Sequence, residues 1–186
     1  MKSPLLYTKA SSKEDLIGIL ELQRKYLLSN LGVSTISTQG FLTVKHSLKD
    51  LTNLNAIEQH VICKKNNTVI AYILAMTSLS KNSIPILRPM FAVFNKIIYQ
   101  DKPISAYTYL VVGQVCVAEQ HRGKGVFESC YAFYKRIYKG FYDFVITEIA
   151  SNNLRSLRAH NKIGFEEIYT YVSSYEQEWI VVLWQW

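Results

Sequence analysis

A short turn in the second half of the sequence has the residue types of an anion-binding site. A β-branched run at residues 111–117 leads into it, Gly123 and Gly125 lie within it, and a helical pattern begins at Val126. A turn from a strand into a helix leaves backbone N–H groups without partners at the helix N-terminus, and such groups bind phosphate. The turn therefore indicates a site for a phosphate-bearing ligand.

Two familiar phosphate-binding loops do not fit this turn. A Walker A loop requires a glycine five positions before its Gly-Lys pair and a Ser or Thr after the pair, but Ala118 and Gly125 occupy those positions. A Rossmann fingerprint requires a third Gly or Ala where Glu128 stands. The pattern that remains is Gln120-x-x-Gly123-x-Gly125.

A second segment carries three polar side chains at helical spacing. Asn153, Ser156 and His160 follow a strand-like run and precede the pair Gly164-Phe165. Positions i, i+3 and i+7 lie on one face of a helix, which here presents an amide, a hydroxyl and an imidazole. Such a face can hold a polar ligand, and an imidazole can transfer a proton near neutral pH.

Together, these two segments resemble the motifs of the GNAT superfamily of N-acetyltransferases. They occur in the order that the family shows, separated by one helix and one strand. The resemblance implies that acetyl-coenzyme A is the co-substrate, that the acceptor is an amine of a small molecule or a protein, and that the amine attacks directly. The alternative is a non-catalytic acyl-CoA sensor or interaction module on the same fold.

The resemblance also assigns the residues that would contact coenzyme A. The main chain of Val115, Cys116 and Val117 would hold the pantetheine arm, and Asn153 and Ser156 would contact the arm from the following helix. The pyrophosphate would lie on the turn, whose residues are Gln120, His121, Arg122, Gly123, Lys124, Gly125 and Val126.

Two residues are candidates for catalysis. His160 stands where many family members carry a Tyr that protonates the departing thiolate, so it is the candidate acid; a purely positional or packing role is the alternative. A lysine-like amine with a pKa near 10.4 is mostly protonated at neutral pH, and a carboxylate would help to remove its proton. Glu148, at the end of a strand, is the candidate base. Cys116 could accept acetyl covalently, but a position among valines favours a buried apolar role.

The surrounding patterns predict the elements that position these residues. Ser11 and Glu14 form a capping box before a helix that ends near Asn30 and Gly32. Asn66-Asn67 suits a hairpin turn because Asn accepts positive φ. Further strands are predicted at residues 5–8, 60–65, 68–76, 109–117, 143–148, 165–175 and 178–186, and further helices at 41–55 (in two pieces around Ser47), 90–97, 126–139 and 152–162. The resulting fold class is α/β (α+β): one GNAT-like domain over residues 1–186, with about seven strands, a splayed parallel central pair and about four helices.

The amino-acid composition limits the classes of partner that we expect. The net charge of +7 comes from dispersed Lys and Arg residues, without the basic run that nucleic-acid binding would favour. We expect no membrane partner, because no apolar run approaches ~20 residues. The four histidines are scattered, so we expect no metal. Three cysteines without CxxC spacing, and no apolar leader, favour a cytoplasmic protein. The Trp-rich C-terminal strand is either core or a homodimer contact.

Overall fold

The computed structural model describes residues 4–30, 40–174 and 176–186. Its strands are β1 (Leu6–Lys9), β2 (Val61–Lys65), β3 (Thr68–Met76), β4 (Ile98–Tyr99), β5 (Lys102–Pro103), β6 (Tyr109–Val117), β7 (Phe144–Ala150), β8 (Glu166–Val172) and β9 (Glu178–Gln185). Its helices are α1 (Lys13–Tyr26), α2 (Leu48–Ile57), α3 (Ser80–Ser83), α4 (Arg88–Phe94), α5 (Val126–Tyr138) and α6 (Leu154–Lys162). The predicted positions of Gly32 and Tyr175 lie outside the described residues.

Seven of the strands form one mixed sheet in the order β1-β2-β3-β6-β7-β9-β8. In this sheet β6 and β7 are parallel, and every other neighbouring pair is antiparallel. The hairpin between β2 and β3 turns at Asn66 and Asn67, whose φ values are 49° and 62°. The predicted mixed sheet with a parallel central pair is therefore confirmed, as is the Asn-Asn turn.

The parallel pair is splayed. Pairing between β6 and β7 covers the register from Tyr109 opposite Phe144 to Val111 opposite Ile146. Beyond it, the Thr147 hydroxyl donates a hydrogen bond of 2.7 Å to the carbonyl of Val112, and the two strands continue without ladder pairing. The main chain of β6 beyond Val112 therefore faces a gap rather than a neighbouring strand.

The predicted capping box of α1 is wrong by one residue. Ser12, not Ser11, is the N-cap: its hydroxyl accepts from the backbone N–H of Asp15 at 3.2 Å, and the Asp15 carboxylate accepts from Ser12. Asp15 also pairs with Lys64 of β2 and is almost fully buried. The carboxylate that completes the capping box is therefore that of the buried Asp15 and not that of Glu14, which a pattern of nearby Ser and Glu residues does not reveal.

The predicted helical segment at residues 41–55 is half right. Its second part is α2, which starts at a capping box made by Ser47 and Asp50. Its first part is extended, because the backbone of Leu42 exchanges hydrogen bonds of 2.9 Å with Tyr26 and Leu28. The four longer helices match the expected number, and two short ones, α3 and α4, lie in the segment between β3 and β6.

Candidate active site

In the turn between β6 and α5, both glycines have left-handed backbone conformations and open space around them. Gly123 and Gly125 have φ values of +67° and +76°, and a Cβ atom built on either would meet nothing within 4 Å. Gly125 is the N-cap of α5 and offers no capping side chain. The N-cap of α5 therefore leaves the N–H groups that begin the helix without a capping side chain, as an anion site requires.

Two basic side chains brace this turn. The Nε of Arg122 donates to the carbonyl of Val117 at 2.9 Å, and its guanidinium carbon lies 4.4 Å from the ring centroid of Tyr26. The Nζ of Lys124 donates to the carbonyl of Gln120 at 2.7 Å. Both cations therefore remain close to the glycines.

A cavity of about 210 Å³ begins at this turn and follows the end of β6. The start of α5, the outer face of α6 and the chain at residues 40–42 close its sides. Its lining residues are Tyr26, Gly40, Phe41, Leu42, Val115, Cys116, Val117, Arg122, Gly123, Phe127, Glu128, Asn153, Arg155, Ser156, Ala159 and Lys162. Glu128 carries the single carboxylate in this lining, and Lys162 neutralises it at 2.9 Å.

A second, smaller cavity of about 80 Å³ occupies the gap between the splayed strands. Its lining residues are Phe41, Leu42, Thr43, Val112, Gly113, Gln114, Val115, Thr147, Glu148, Ile149, Ala150, Asn153, Ser156, His160 and Trp179. Phe41, Leu42, Val115, Asn153 and Ser156 line both cavities. The two spaces therefore meet at the splay.

The structure brings most of the predicted coenzyme A residues to the first cavity. Those that line it are Val115, Cys116, Val117, Arg122, Gly123, Asn153 and Ser156. Those that do not are Gln120, His121, Lys124, Gly125 and Val126. Val126 is buried in the core, so a contact with a ligand would involve its main chain.

Asn153 connects α6 to the chain at residues 40–42. Its side-chain oxygen accepts from the N–H of Ser156 at 3.4 Å, which makes it the N-cap of α6. Its Nδ2 donates to the carbonyl of Phe41 at 3.1 Å. A Cβ on Gly40, whose φ is +70°, would lie 3.1 Å from the same side-chain oxygen. The amide thus shapes the wall shared by the two cavities.

His160 is buried with both ring nitrogens in use. Nδ1 lies 2.8 Å from the carbonyl of Ser156, to which it must donate, so Nε2 accepts from the Tyr131 hydroxyl at 2.8 Å. The rings of Phe127 and Phe165 pack edge-on against the imidazole. Burial lowers the pKa of His160 to about 4, so the ring is neutral at pH 7. This arrangement leaves no N–H of the ring directed to a leaving group.

Glu148 lines the second cavity from β7. Its Oε2 accepts a hydrogen bond of 2.5 Å from the Tyr171 hydroxyl. Burial raises the pKa of Glu148 to about 7, and the bond from Tyr171 opposes that rise. A carboxylate with this pKa can take and release a proton near neutral pH.

Cys116, unlike Glu148, is not suited to react near neutral pH. It is buried, and burial raises the pKa of its thiol to about 12. The thiolate that would act as a nucleophile is therefore scarce at neutral pH. These properties agree with the apolar role that the sequence favours.

Several lining residues were not identified from the sequence. Phe41, Leu42 and Thr43 enter the site because the chain there is extended, whereas the local pattern suggests a helix. Tyr171 reaches Glu148 across β9, and Trp179 lines the second cavity. The alternation of β8 and β9 places these two rings on one face, but the register that aligns them with Glu148 depends on long-range pairing.

Within residues 4–30, 40–174 and 176–186, no group of three or more His, Cys, Asp or Glu side chains is placed to hold a metal ion. In the same ranges, no helix has both the length and the apolar character needed to cross a bilayer.

No protein-family model and no curated protein matches this sequence. Similarity is found among solved structures. The structure of the NatC complex bound to Gag peptide and CoA superposes with a TM-score of 0.66 at 13% identity, covering 100% of this chain and 99% of that chain. Arabidopsis thaliana NAA60 in complex with acetyl-CoA gives 0.67 at 10% identity, covering 98% and 100%. A Desulfovibrio desulfuricans protein assigned to the GNAT family of acetyltransferases gives 0.64 at 7% identity, covering 98% and 99%.

These superpositions extend over nearly the whole of each chain. Identities of this size establish the fold and leave the activity to be argued from the site. The protein therefore has the fold of the GNAT N-acetyltransferases, as its two motifs predict.

Proposed function

We propose that this protein transfers an acetyl group from acetyl-coenzyme A to an amine by direct attack. The observation that carries the proposal is the meeting of the two cavities at the splayed strands, with Glu148 in the second cavity. One cavity begins at an anion-binding turn and the other contains a carboxylate with a pKa near 7. A phosphate-bearing donor and an amine acceptor fit these two ends.

The first cavity supports coenzyme A as the donor. The N–H groups at the start of α5 would bind the pyrophosphate, with Arg122 and Lys124 beside them. The main chain of β6 at Val115, Cys116 and Val117 pairs with β3 on one side, and its other edge, towards β7, would bind the amide groups of the pantetheine arm as an added strand does. The thioester supplies an activated acetyl group, and a free N–H of β6 would stabilise its carbonyl oxygen as negative charge develops.

Glu148 would act as the base. Its carboxylate accepts a proton from the acceptor ammonium, directly or through water, and so frees the nitrogen lone pair for attack. The nitrogen forms a bond to the acetyl carbon, the carbon–sulfur bond breaks, and the nitrogen loses its second proton as the thiolate takes one up. Tyr171 holds the carboxylate in place and keeps its pKa from rising further.

His160 would hold Ser156 in position rather than protonate the departing thiolate. Its bonds to the Ser156 carbonyl and the Tyr131 hydroxyl connect α6 to α5. They place the Ser156 hydroxyl at the junction of the two cavities, where it can donate a hydrogen bond to the departing sulfur. We therefore assign the contact with the leaving group to Ser156.

The charge of the C-terminal strands, which contribute Trp179 to the second cavity, favours a cationic acceptor. Residues 166–186 contain four glutamates and no Lys, Arg or His, although the whole chain has a net charge of +7. Glu166 pairs with Leu183, which pairs with Ile146, so Glu166 lies on the same sheet face as Glu148. An acceptor with a second positive charge, such as a small polyamine or a basic peptide, would bind more tightly because of these glutamates.

Isothermal titration with acetyl-coenzyme A, coenzyme A and longer acyl-coenzyme A derivatives tests the donor assignment. We expect micromolar binding that prefers acetyl, because the second cavity is small. A sensor would bind acyl-coenzyme A yet release no thiol with any amine. Absence of binding would remove the assignment of the glycine turn.

A further inference from the structure

A buried polar network lies beside the splay, outside the residues assigned above to the reaction. It joins α1, β3, β6 and the chain before α2 through the side chains of Gln23, Tyr72, Gln114 and His46. All four are almost fully buried. Buried amides require satisfied hydrogen bonds, because each lost bond costs about 1–3 kcal/mol.

Gln114 is at the centre of this network. Its Oε1 accepts from the Tyr72 hydroxyl at 2.5 Å and from Nε2 of Gln23 at 2.9 Å. Its Nε2 donates to the carbonyl of Val44 at 2.9 Å. One side chain of the splayed strand therefore fixes the height of the chain at residue 44 above the sheet.

Gln23 completes the attachment from α1. Its Oε1 accepts from the N–H of His46 at 2.9 Å, and its Nε2 lies 3.0 Å from Nδ1 of His46. An amide nitrogen only donates, so Nδ1 accepts and the ring is neutral. Both hydrogens of the Gln23 amide are then used, one on Gln114 and one on His46. The bonds leave little freedom to residues 44–46.

Two separate attachments thus hold the wall of the site. Residues 41 and 42 are held by Asn153, Tyr26 and Leu28, and residues 44–46 are held by the network. Thr43 lies between the two attachments and lines the second cavity but not the first. The network therefore acts on the side where Glu148 lies.

We propose that the Gln23–Gln114 pair positions residues 44–46, and through them Thr43 in the wall of the acceptor cavity, and so determines how tightly the acceptor binds. This inference rests on the proposed acetyl transfer. It adds positioning residues that neither motif contains, one of which, Gln23, lines neither cavity. An effect of Gln23 on the acceptor must be transmitted through residues 44–46 and through Gln114.

The test is Gln23→Leu, which keeps the side-chain bulk and removes three hydrogen bonds. We expect the KM for the amine acceptor to rise about tenfold, while the Kd for acetyl-coenzyme A changes less than twofold. Tyr72→Phe, which removes one bond to Gln114 at nearly constant volume, should raise the same KM about threefold. This milder variant serves if Gln23→Leu does not fold.

Tyr138→Phe is the matched control. The Tyr138 hydroxyl donates to the carbonyl of Gln59, and neither residue lines the two cavities. It should lower Tm without changing the acceptor KM. An unchanged KM in Gln23→Leu and Tyr72→Phe, with normal turnover by the unsubstituted protein, would overturn the inference alone. Absence of turnover in the unsubstituted protein would overturn both the inference and the proposed function.

Discussion

The Tyr171 hydroxyl on β8 lies 2.5 Å from Oε2 of Glu148 on β7, reaching across β9. Burial of Glu148 and this bond act in opposite directions on the carboxylate, and burial dominates, since the pKa is raised to about 7. The same contact raises the pKa of Tyr171, after burial, so the proton belongs to the phenol. The pair is a carboxylate held by a neutral hydroxyl beside the acceptor cavity.

This relationship predicts the pH dependence of catalysis. Glu148 must be ionised to accept a proton, so kcat should rise with pH through about 7 and then level off. Tyr171→Phe removes the bond that opposes the rise in pKa, so the rising limb should move to higher pH. In Glu148→Gln, kcat should fall about 100-fold, and the rise of kcat with pH should disappear. A limb unchanged in Glu148→Gln would assign the base elsewhere.

The glycine turn predicts a selective loss of donor binding. Gly123→Val places a β-branched residue at a φ of +67°, at a cost of roughly 1–2 kcal/mol, and puts a side chain where the phosphates would approach. We expect a folded protein whose affinity for acetyl-coenzyme A falls at least tenfold in titration. Gly140→Ala is the control, because Gly140 has no positive φ and an open Cβ position. Equal affinity in both variants would argue against the turn as the anion site.

Two adjacent glutamates test the charge of the acceptor. Glu166 lies on the sheet face of Glu148, whereas Glu167 pairs with Val182 and lies on the other face. Exposed ion pairs contribute about 0.2–1 kcal/mol, so Glu166→Gln should raise the KM of a polyamine or basic peptide by roughly two- to fivefold. The same change at Glu167 should have little effect, as should either change with a neutral-tailed amine. Equal effects at both positions would indicate that the acceptor responds to the overall negative charge of these strands and does not contact Glu166.

Three buried histidines predict sensitivity to acid. Burial lowers the pKa of His46 to about 4, of His60 to about 3 and of His160 to about 4. At these three positions the unfolded chain therefore binds more protons than the folded one below about pH 6.5, so the stability that the neutral histidines contribute is lost as the pH falls from there towards 4. Urea unfolding at pH 7, 5.5 and 4.5 should show a falling free energy of unfolding, with a smaller slope in His160→Gln. A slope that His160→Gln leaves unchanged would show that this histidine is already charged in the folded protein.

The elements of the central sheet and its long helices could be predicted because their patterns are local. The boundaries of β6 follow from a β-branched run before a glycine turn, and those of α5 and α6 from apolar stripes and caps. The Asn66-Asn67 turn requires only the backbone preference of Asn. Such signals lie within a few residues of the feature that they specify.

Other features depend on contacts between distant parts of the chain. The burial of the Asp15 carboxylate at the start of α1 depends on its ion pair with Lys64, and the extended chain at residues 41–46 depends on Asn153 and Gln114. The state of His160 depends on Tyr131, which is 29 positions away. Periodicity carries no information about these partners, so the sequence located His160 and left its role open.

The most direct test of the account is thiol release from acetyl-coenzyme A with an amine panel, comparing the unsubstituted protein with Glu148→Gln. The panel should include a polyamine, a basic peptide and a neutral peptide with the same N-terminus. We predict release that depends on the amine, is fastest with the cationic acceptors, and falls about 100-fold in Glu148→Gln at unchanged affinity for acetyl-coenzyme A. Tight binding of acetyl-coenzyme A without thiol release for any amine would contradict the proposed transferase activity and would indicate a protein that only binds acyl-coenzyme A.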